Sequence, residues 1–182
     1  MYMVELKDSR RLFIREARKE DAPEILEYVK IVGGETDNLL IDGNGLSLSV
    51  HEEEAIIEER HLAETSKMFV GIVDGEIVSM VSLTGSVRSR IRHNTTLGIS
   101  VKKKMWHSGV ASAMMNYAIE WAKSIPILVN LHLEVRSDNS RAIALYERFG
   151  FQRVGIFPQK VCVQNVYYDE IAMFLPLRGI SA

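Results

Sequence analysis

LHLEVRSDNSRAIALYERFGF, residues Leu131 to Phe151, reads as a strand, a polar turn, a short helix and the opening of another strand. Leu131, Leu133 and Val135 alternate with His132, Glu134 and Arg136, so the two sets face opposite sides of a sheet. Ser137-Asp138-Asn139-Ser140 follows, residues whose side chains accept the orphan amide bonds at a helix start. Ala142, Leu145 and Phe149 then share one helical face, with Tyr146 expected to be rotated off it. Gly150 suits a left-handed cap that ends the helix, and Phe151 starts the next strand. A carboxylate, Glu134, and a phenol, Tyr146, are thereby aimed at one crevice at the mouth of a sheet, as an acid and base pair.

A second stretch, ISVKKKMWHSGVASA from Ile99 to Ala113, carries a complementary signal. A strand runs through a basic turn into a helix whose first turn holds Gly109, Ala111, Ser112 and Ala113. Small residues there let a ligand approach the backbone, and the first amides of a helix have no intrahelical partner. Together with the helix dipole they form a place for a phosphate or pyrophosphate. The pattern is neither the Gly-Lys-Ser/Thr loop of nucleoside triphosphatases nor the three-glycine turn of dinucleotide-binding folds.

Composition sets the outer bounds. A chain of 182 residues with 47% hydrophobic residues fits one domain, 1–182, with a sizeable core. Lysine and arginine number 22 against 24 acidic residues, a net charge of −2, so neither nucleic acid nor an anionic membrane is indicated as a partner. The five histidines are scattered, with no tight ligand spacing, so no metal is expected. Cys162 is the single cysteine, which excludes an internal disulfide and fits a reducing compartment. No apolar signal core or membrane-length run is present, and the expected location is the cytoplasm.

Along the chain, Leu12 to Ala17 reads as a strand, and Asp21 with Pro23 opens a helix that runs to Gly33-Gly34. GGETDNLLIDGN, Gly33 to Asn44, is a polar loop in which Glu35 and Asp37 are candidate substrate groups. Ser49 and Glu52 form a capping box for a second helix to about Leu62. Met68 to Val73 and Glu76 to Ser86 are strands joined by an Asp74-Gly75 hairpin turn. Thr95 to Val101 is a strand reached through the basic loop Arg88 to His93. A helix from about Gly109 to Lys123 precedes the Leu131 strand, and Gln152 to Phe157 and Tyr168 to Leu175 close the chain.

The two motif stretches together resemble the GNAT superfamily of acetyl-coenzyme A-dependent N-acetyltransferases. The pyrophosphate loop of that family, Gln/Arg-x-x-Gly-x-Gly/Ala, is in register with Trp106-His107-Ser108-Gly109-Val110-Ala111. Its later motif is matched by Asn139, Ala142, Leu145-Tyr146 and Gly150-Phe151, and this part is similar to the ribosomal-protein alanine N-acetyltransferases. The resemblance implies an α/β fold with a mixed, mostly antiparallel, twisted sheet of about six to seven strands and about four helices. It implies acetyl-coenzyme A as co-substrate, with no metal. The amides of His107, Ser108, Gly109, Val110, Ala111 and Ser112 would cradle the pyrophosphate; Ile99, Ser100 and Val101 would pair with the pantetheine arm, and Asn139 would bond it from the other side. Tyr146 would protonate the departing thiolate and Glu134 would take a proton from the incoming ammonium, with no covalent intermediate.

Trp106 departs from the family pattern, since an indole replaces Gln or Arg; the expected result is weaker coenzyme binding by ~1 kcal/mol. Each candidate also has a plainer reading. Tyr146 could be a half-buried aromatic with a wet hydroxyl, Glu134 could pair with Arg136 or Arg141, and Glu35 and Asp37 could be turn formers. Cys162 reads as a packing residue. Glu35, Asp37 and Asp169 would suit a cationic acceptor by charge: a peptide N-terminus, polyamine, amino sugar or other small amine. Two alternatives stand beside catalysis: a GNAT-fold sensor that holds coenzyme A without turnover, and an interaction domain with an emptied cleft. Apolar residues along Val161 to Leu177 suggest a strand edge that pairs across a twofold axis in a homodimer.

Overall fold

The computed structural model describes residues 2–178. Eight strands form one sheet, against the six to seven expected. The extra strand is β1 (Tyr2–Glu5), a short segment that pairs antiparallel with β2 (Arg11–Glu16). A 3-10 turn over Lys19–Asp21 leads into α1 (Ala22–Glu35), which has Pro23 in its first turn. Asp21 stands at the N-cap position but does not cap the helix with its side chain. Its carboxylate instead binds the Arg15 guanidinium at 2.6 and 2.8 Å and the Arg18 amide at 2.8 Å.

Gly33 and Gly34 do not end α1, as the sequence suggested. The helix continues to Glu35, because Gly33 serves a tertiary contact: a Cβ there would sit 2.1 Å from the Asp42 carbonyl oxygen. The loop after α1 folds back onto the helix through that gap. The second helix, α2 (Val50–Leu62), starts with the expected reciprocal pair, Ser49 accepting from the Glu52 amide while Glu52 accepts from the Ser49 amide and hydroxyl.

Next come β3 (Lys67–Val73) and β4 (Glu76–Gly85), joined at Asp74-Gly75, where φ is +51° and +81°. Two successive positive φ values match the right-handed twist of a hairpin, which is why Asp-Gly marks the turn. β5 (Asn94–Val101) precedes a 3-10 turn at Lys103–Met105 and α3 (Val110–Ser124). The remaining elements are β6 (Asn130–Arg136), α4 (Ser140–Arg148), β7 (Gln152–Val163) and β8 (Val166–Pro176). The last two strands are longer than the sequence indicated. They are joined at Gln164-Asn165, where φ is again positive at both residues, +49° and +63°.

The strand order is β1-β2-β3-β4-β5-β6-β8-β7, with every neighbouring pair antiparallel except β5 and β6. Two cores flank the sheet. On one face Ile25, Tyr28, Val29, Val32 and Ile57 of α1 and α2 pack on Met68, Val70 and Ile77. On the other, Val110, Met114, Met115, Ala118 and Ala122 of α3 pack on Leu12, Ile14, Phe69, Val81, Leu131 and Leu133. Each such fully buried Leu, Ile or Met contributes roughly 1.5–3 kcal/mol, so the sheet is fixed from both sides. Among the described residues no helix is long and apolar enough to cross a membrane.

α4 corrects one expectation. Ile143 and Tyr146 are its buried residues, whereas Ala142, Leu145 and Phe149 are only partly covered. Tyr146 thus belongs to the packed face of α4, with its ring 5.9 Å from that of Phe151.

Candidate active site

β5 and β6 are the parallel neighbours, and they pair only over Asn94–Thr96 with Asn130–His132. Beyond these residues β5 runs on to Val101 and β6 to Arg136 without pairing, so the sheet opens into a wedge. A cavity of about 930 Å³ fills it. One lip is the strand Leu97 to Val101; the other carries Glu134, Val135, Asn139, Ala142, Leu145 and Tyr146. The β5 backbone groups that face the wedge have no strand opposite them, so an extended ligand with amide groups can take the place of the missing partner.

The wedge ends on the loop before α3. His107 and Gly109 both have positive φ, +66° and +102°, and such left-handed residues turn successive amides into one concavity. The first α-helical bond is Ala113 N to Gly109 O, 3.1 Å, so the amides from Val110 to Ser112 lie ahead of the helical ladder. The loop is braced from behind: the Lys7 amide donates to the Ser108 carbonyl at 3.1 Å, and the Ser108 hydroxyl to the Met105 carbonyl at 2.6 Å. His107, Gly109, Ala111 and Ser112 line the cavity, whereas the Val110 side chain is fully buried in the core. Val110 therefore offers only its amide here, whereas the Ser108 amide is already committed to the Met105 carbonyl at 3.5 Å.

Trp106 holds the end of β5, its indole N–H donating to the Val101 carbonyl at 2.9 Å. The Arg141 guanidinium lies 5.0 Å from the Trp106 ring centroid, and Arg148 Nη2 donates to the Ser112 hydroxyl at 2.7 Å. Arg141, Arg148 and Lys7 all line the cavity, Arg148 and Arg141 meeting Ser112 and Trp106 around the start of α3. Sequence reasoning passed over these three; Arg141 and Arg148, seven residues apart, fall on one face of α4, the spacing that could have flagged them.

Other candidates are engaged in structural bonds. Ser100 shares a 2.8 Å bond between its hydroxyl and that of Tyr28, and its carbonyl accepts from the Ser79 hydroxyl at 2.8 Å. Burial pushes the Tyr28 phenol well up, so it remains protonated and holds this bond. Asn139 caps α4, its Oδ1 accepting from the Ala142 amide at 3.2 Å, and still borders the cavity. The Glu35 carboxylate accepts from the Lys103 amide at 2.6 Å, fixing the basic turn rather than facing the wedge. Asp37 contributes its carbonyl to Arg136 Nη1 at 2.8 Å; Arg136 also forks onto Asp138 and stacks 3.7 Å from the Tyr168 ring centroid.

Tyr146 is 8% exposed and lines the cavity; burial pushes its phenol up to about 12. Glu134 lies on the same lip, ion-paired with Lys160 Nζ of β7. Behind it, Glu170 of β8 also borders the cavity, nearly buried. A second cavity, about 530 Å³, lies between the loop after α1 (Thr36, Asp37, Leu39 to Asp42) and Lys160 to Gln164 of β7 and its turn. The two cavities share Thr36, Leu39 and Leu40. Among the described residues, no group of three or more His, Cys, Asp or Glu is placed to hold a metal.

The sequence model of the Acetyltransferase (GNAT) family matches residues 37–151, which include both lips of the wedge. The chain belongs to the GNAT acetyltransferase family. That places it among the acyltransferases. This GNAT chain is 30% identical to the L-amino acid N-acetyltransferase AaaT of Escherichia coli over 107 residues, 59% of this chain and 66% of that protein, just under two thirds of its length. Its fold superposes on the GNAT-family acetyltransferase of Streptococcus pneumoniae with a TM-score of 0.89, at 31% identity over 91% of this chain and 99% of that one. It also shares the fold of Salmonella typhimurium yncA, solved with its cofactor acetyl-CoA, with a TM-score of 0.82 at 20% identity over 94% and 96% of the two chains. The eight-stranded, mostly antiparallel sheet with four α-helices is the GNAT architecture that the motifs implied.

Proposed function

We propose that this protein transfers acetyl from acetyl-coenzyme A directly to a primary amine. The observation that carries the reading is the wedge: a β5 edge without a partner leads to the left-handed turn at His107 and Gly109. A pantetheine arm has the length and amide groups to line Leu97 to Val101, and the amides of His107 and of Gly109 to Ser112 suit the pyrophosphate. Arg141, Arg148 and Lys7 add charge for the phosphates, which offsets the lack of a Gln or Arg where Trp106 stands. The loss of about 1 kcal/mol expected from Trp106 is correspondingly reduced.

On the opposite side, Tyr146 presents a protonated phenol to the point where a thiolate would leave, and β5 offers a backbone N–H for the thioester oxygen. The carboxylates on the β6–β8 face, Glu134 being the one read from sequence, draw in a cationic acceptor and receive its proton. The acceptor enters through the second cavity, between the loop after α1 and β7, so Asp37 is near its path. The AaaT relative acts on L-amino acids by its name, and an amino acid or another small amine fits this entry. Peptide N-termini and polyamines remain within the same chemical class.

Incubation with acetyl-coenzyme A and an amine panel, followed by mass spectrometry of the products and thiol release, tests this. Acetylated amine together with free thiol supports it. Micromolar coenzyme binding by calorimetry with no product from any amine supports the sensor reading instead, which the Trp106 substitution favours. No binding overturns both.

A further inference from the structure

Glu134 and Glu170 reach one spot from two strands. The β6–β8 register sets Glu134 opposite Ala172 and Arg136 opposite Glu170, so the two glutamates are diagonal neighbours on one sheet face. They are not equivalent. Glu134 is 41% exposed and ion-paired with Lys160. The Glu170 side chain is 6% exposed, borders the wedge, and has a buried Oε2 without a hydrogen-bond partner. Lys160 Nζ lies 3.5 Å from that oxygen, within ion-pair reach but outside a hydrogen bond. Lys160 also lines the second cavity, so this ammonium group stands where one cavity meets the other.

A buried carboxylate oxygen with no donor is costly unless a ligand supplies one. Here the group already drawn toward it is a primary ammonium. Resting on the amine-acetyltransferase reading above, we propose that Glu170, rather than Glu134, takes the proton from the acceptor ammonium, which arrives through the second cavity and displaces Lys160. One N–H bond of the ammonium breaks and its proton goes to Glu170 Oε2, leaving the nitrogen lone pair free to attack the thioester carbonyl carbon. The C–S bond breaks with its electrons on sulfur. The second ammonium proton ends on that sulfur by way of the Tyr146 hydroxyl, and Glu170 returns its own to water.

The charge environment suits the role. Burial, and then the Glu134 carboxylate beside it, raise Glu170 above the usual carboxylate range, against the opposing pull of Lys160. The charged groups around it are Glu134 and Arg136 of β6 and Lys160 of β7, with Tyr146 of α4 on the same cavity; Arg136 is committed to Asp138 and the Asp37 carbonyl. A carboxylate raised above its usual range is a stronger base toward the acceptor ammonium and still gives the proton up to water between turnovers.

The test is the pH profile of kcat/KM for wild type, Glu170→Gln and Glu134→Gln with one accepted amine, alongside coenzyme affinity by calorimetry. Glu170→Gln is expected to lose ~10²-fold at pH 7, with the loss shrinking toward pH 10 as the free amine becomes abundant and with coenzyme affinity unchanged. Glu134→Gln keeps an acid limb, shifted down because the carboxylate that raised Glu170 is gone. Lys160→Met shifts that limb up, a movement that a purely structural Glu170 would not show. An active wild type whose acid limb survives intact in Glu170→Gln overturns this proposal alone. A wild type that turns over no amine overturns the parent reading and this one with it.

Discussion

Replacing Tyr146 by phenylalanine removes one hydroxyl and leaves the ring packed against Phe151. The size of the effect follows from where that hydroxyl sits. Burial pushes the phenol up to about 12, while a thiol ordinarily titrates near ~8.5. Ending the step as a tyrosinate would therefore lie about 5 kcal/mol uphill, so Tyr146 works as a donor and relay that hands on the proton from the amine. A hydrogen bond to a charged group in a site shielded from water contributes roughly 1.5–3 kcal/mol. Tyr146→Phe should accordingly lower kcat by ~10- to 150-fold, mostly below the ~10²–10⁴-fold typical of a full general acid, as befits a donor that relays rather than keeps the charge. KM for the amine and the coenzyme dissociation constant should hold. The assay is thiol release from pH 6 to 10, with calorimetry for coenzyme binding. Unlike the Glu170 variant, this one should show no rescue at high pH, because the thiolate is the group left without its donor. Wild-type kcat throughout that range in a variant that still binds coenzyme would refute the assignment of Tyr146 as donor.

Four shorter predictions follow from the same structure. Trp106→Phe loses the indole bond to the Val101 carbonyl, so coenzyme affinity should fall by ~2- to 12-fold, the equivalent of ~0.5–1.5 kcal/mol; titration by calorimetry measures it, and an unchanged constant counts against the indole as a brace of β5. Gly109→Ala has room for its Cβ, with Lys7 Cγ at 3.9 Å, but must hold φ at +102°, so ~1–2 kcal/mol of strain should appear as a lower melting temperature or weaker coenzyme binding; a variant unchanged in both would mean that the loop does not need this conformation. Asp21 is partly buried, which alone would raise its pKa, yet Arg15 and the Arg18 amide hold it below the usual value of 3.8. Its stabilisation is thus present above pH ~4 and lost as pH falls through the depressed folded value, so Asp21→Asn should be ~1.5–3 kcal/mol less stable in urea at pH 7 and approach wild type once the pH is below that depressed value. Sedimentation at micromolar concentration should give about twice 20.6 kDa, since β7 is an edge strand with Val154, Ile156 and Phe157 exposed; a 20.6 kDa species alone would argue against the homodimer.

What could be read in the sequence was local. Asp74-Gly75, the Ser49 and Glu52 capping pair and Gly150 all act within a few residues, and each stands where its chemistry placed it. Misreadings came where a distant partner decides. Gly33 looks like a helix stop, but its missing side chain admits the Asp42 carbonyl. β1 is short and becomes a strand only by pairing with β2. The sequence pointed to Asp169 for the acceptor, but its carboxylate takes the Gln159 amide at 2.8 Å, and it is the adjacent Glu170 that borders the wedge. Only the register against β6 selects Glu170, and only the irregular stretch of β7 between Phe157 and Val161 brings Lys160 toward it. Trp106 likewise reads as a lost phosphate contact until its indole is seen to hold Val101, with Arg141 across its face.

The three-residue contact between β5 and β6 has a mechanical meaning. The sheet is two plates, β1 to β5 and β6 to β8, joined along one edge at Asn94–Thr96, while α3 packs mainly on β2 to β5 of the first plate and shares its core with Leu131 and Leu133 of β6 beside the joint. Each plate has its own ladder, so the joint is the place where opening disturbs the fewest bonds, and the two sides should exchange their amide hydrogens as separate cooperative units. A ligand lying across the gap touches both. Its binding would tie the plates into a single unit and slow exchange in each of them, including at amides far from any contact with it.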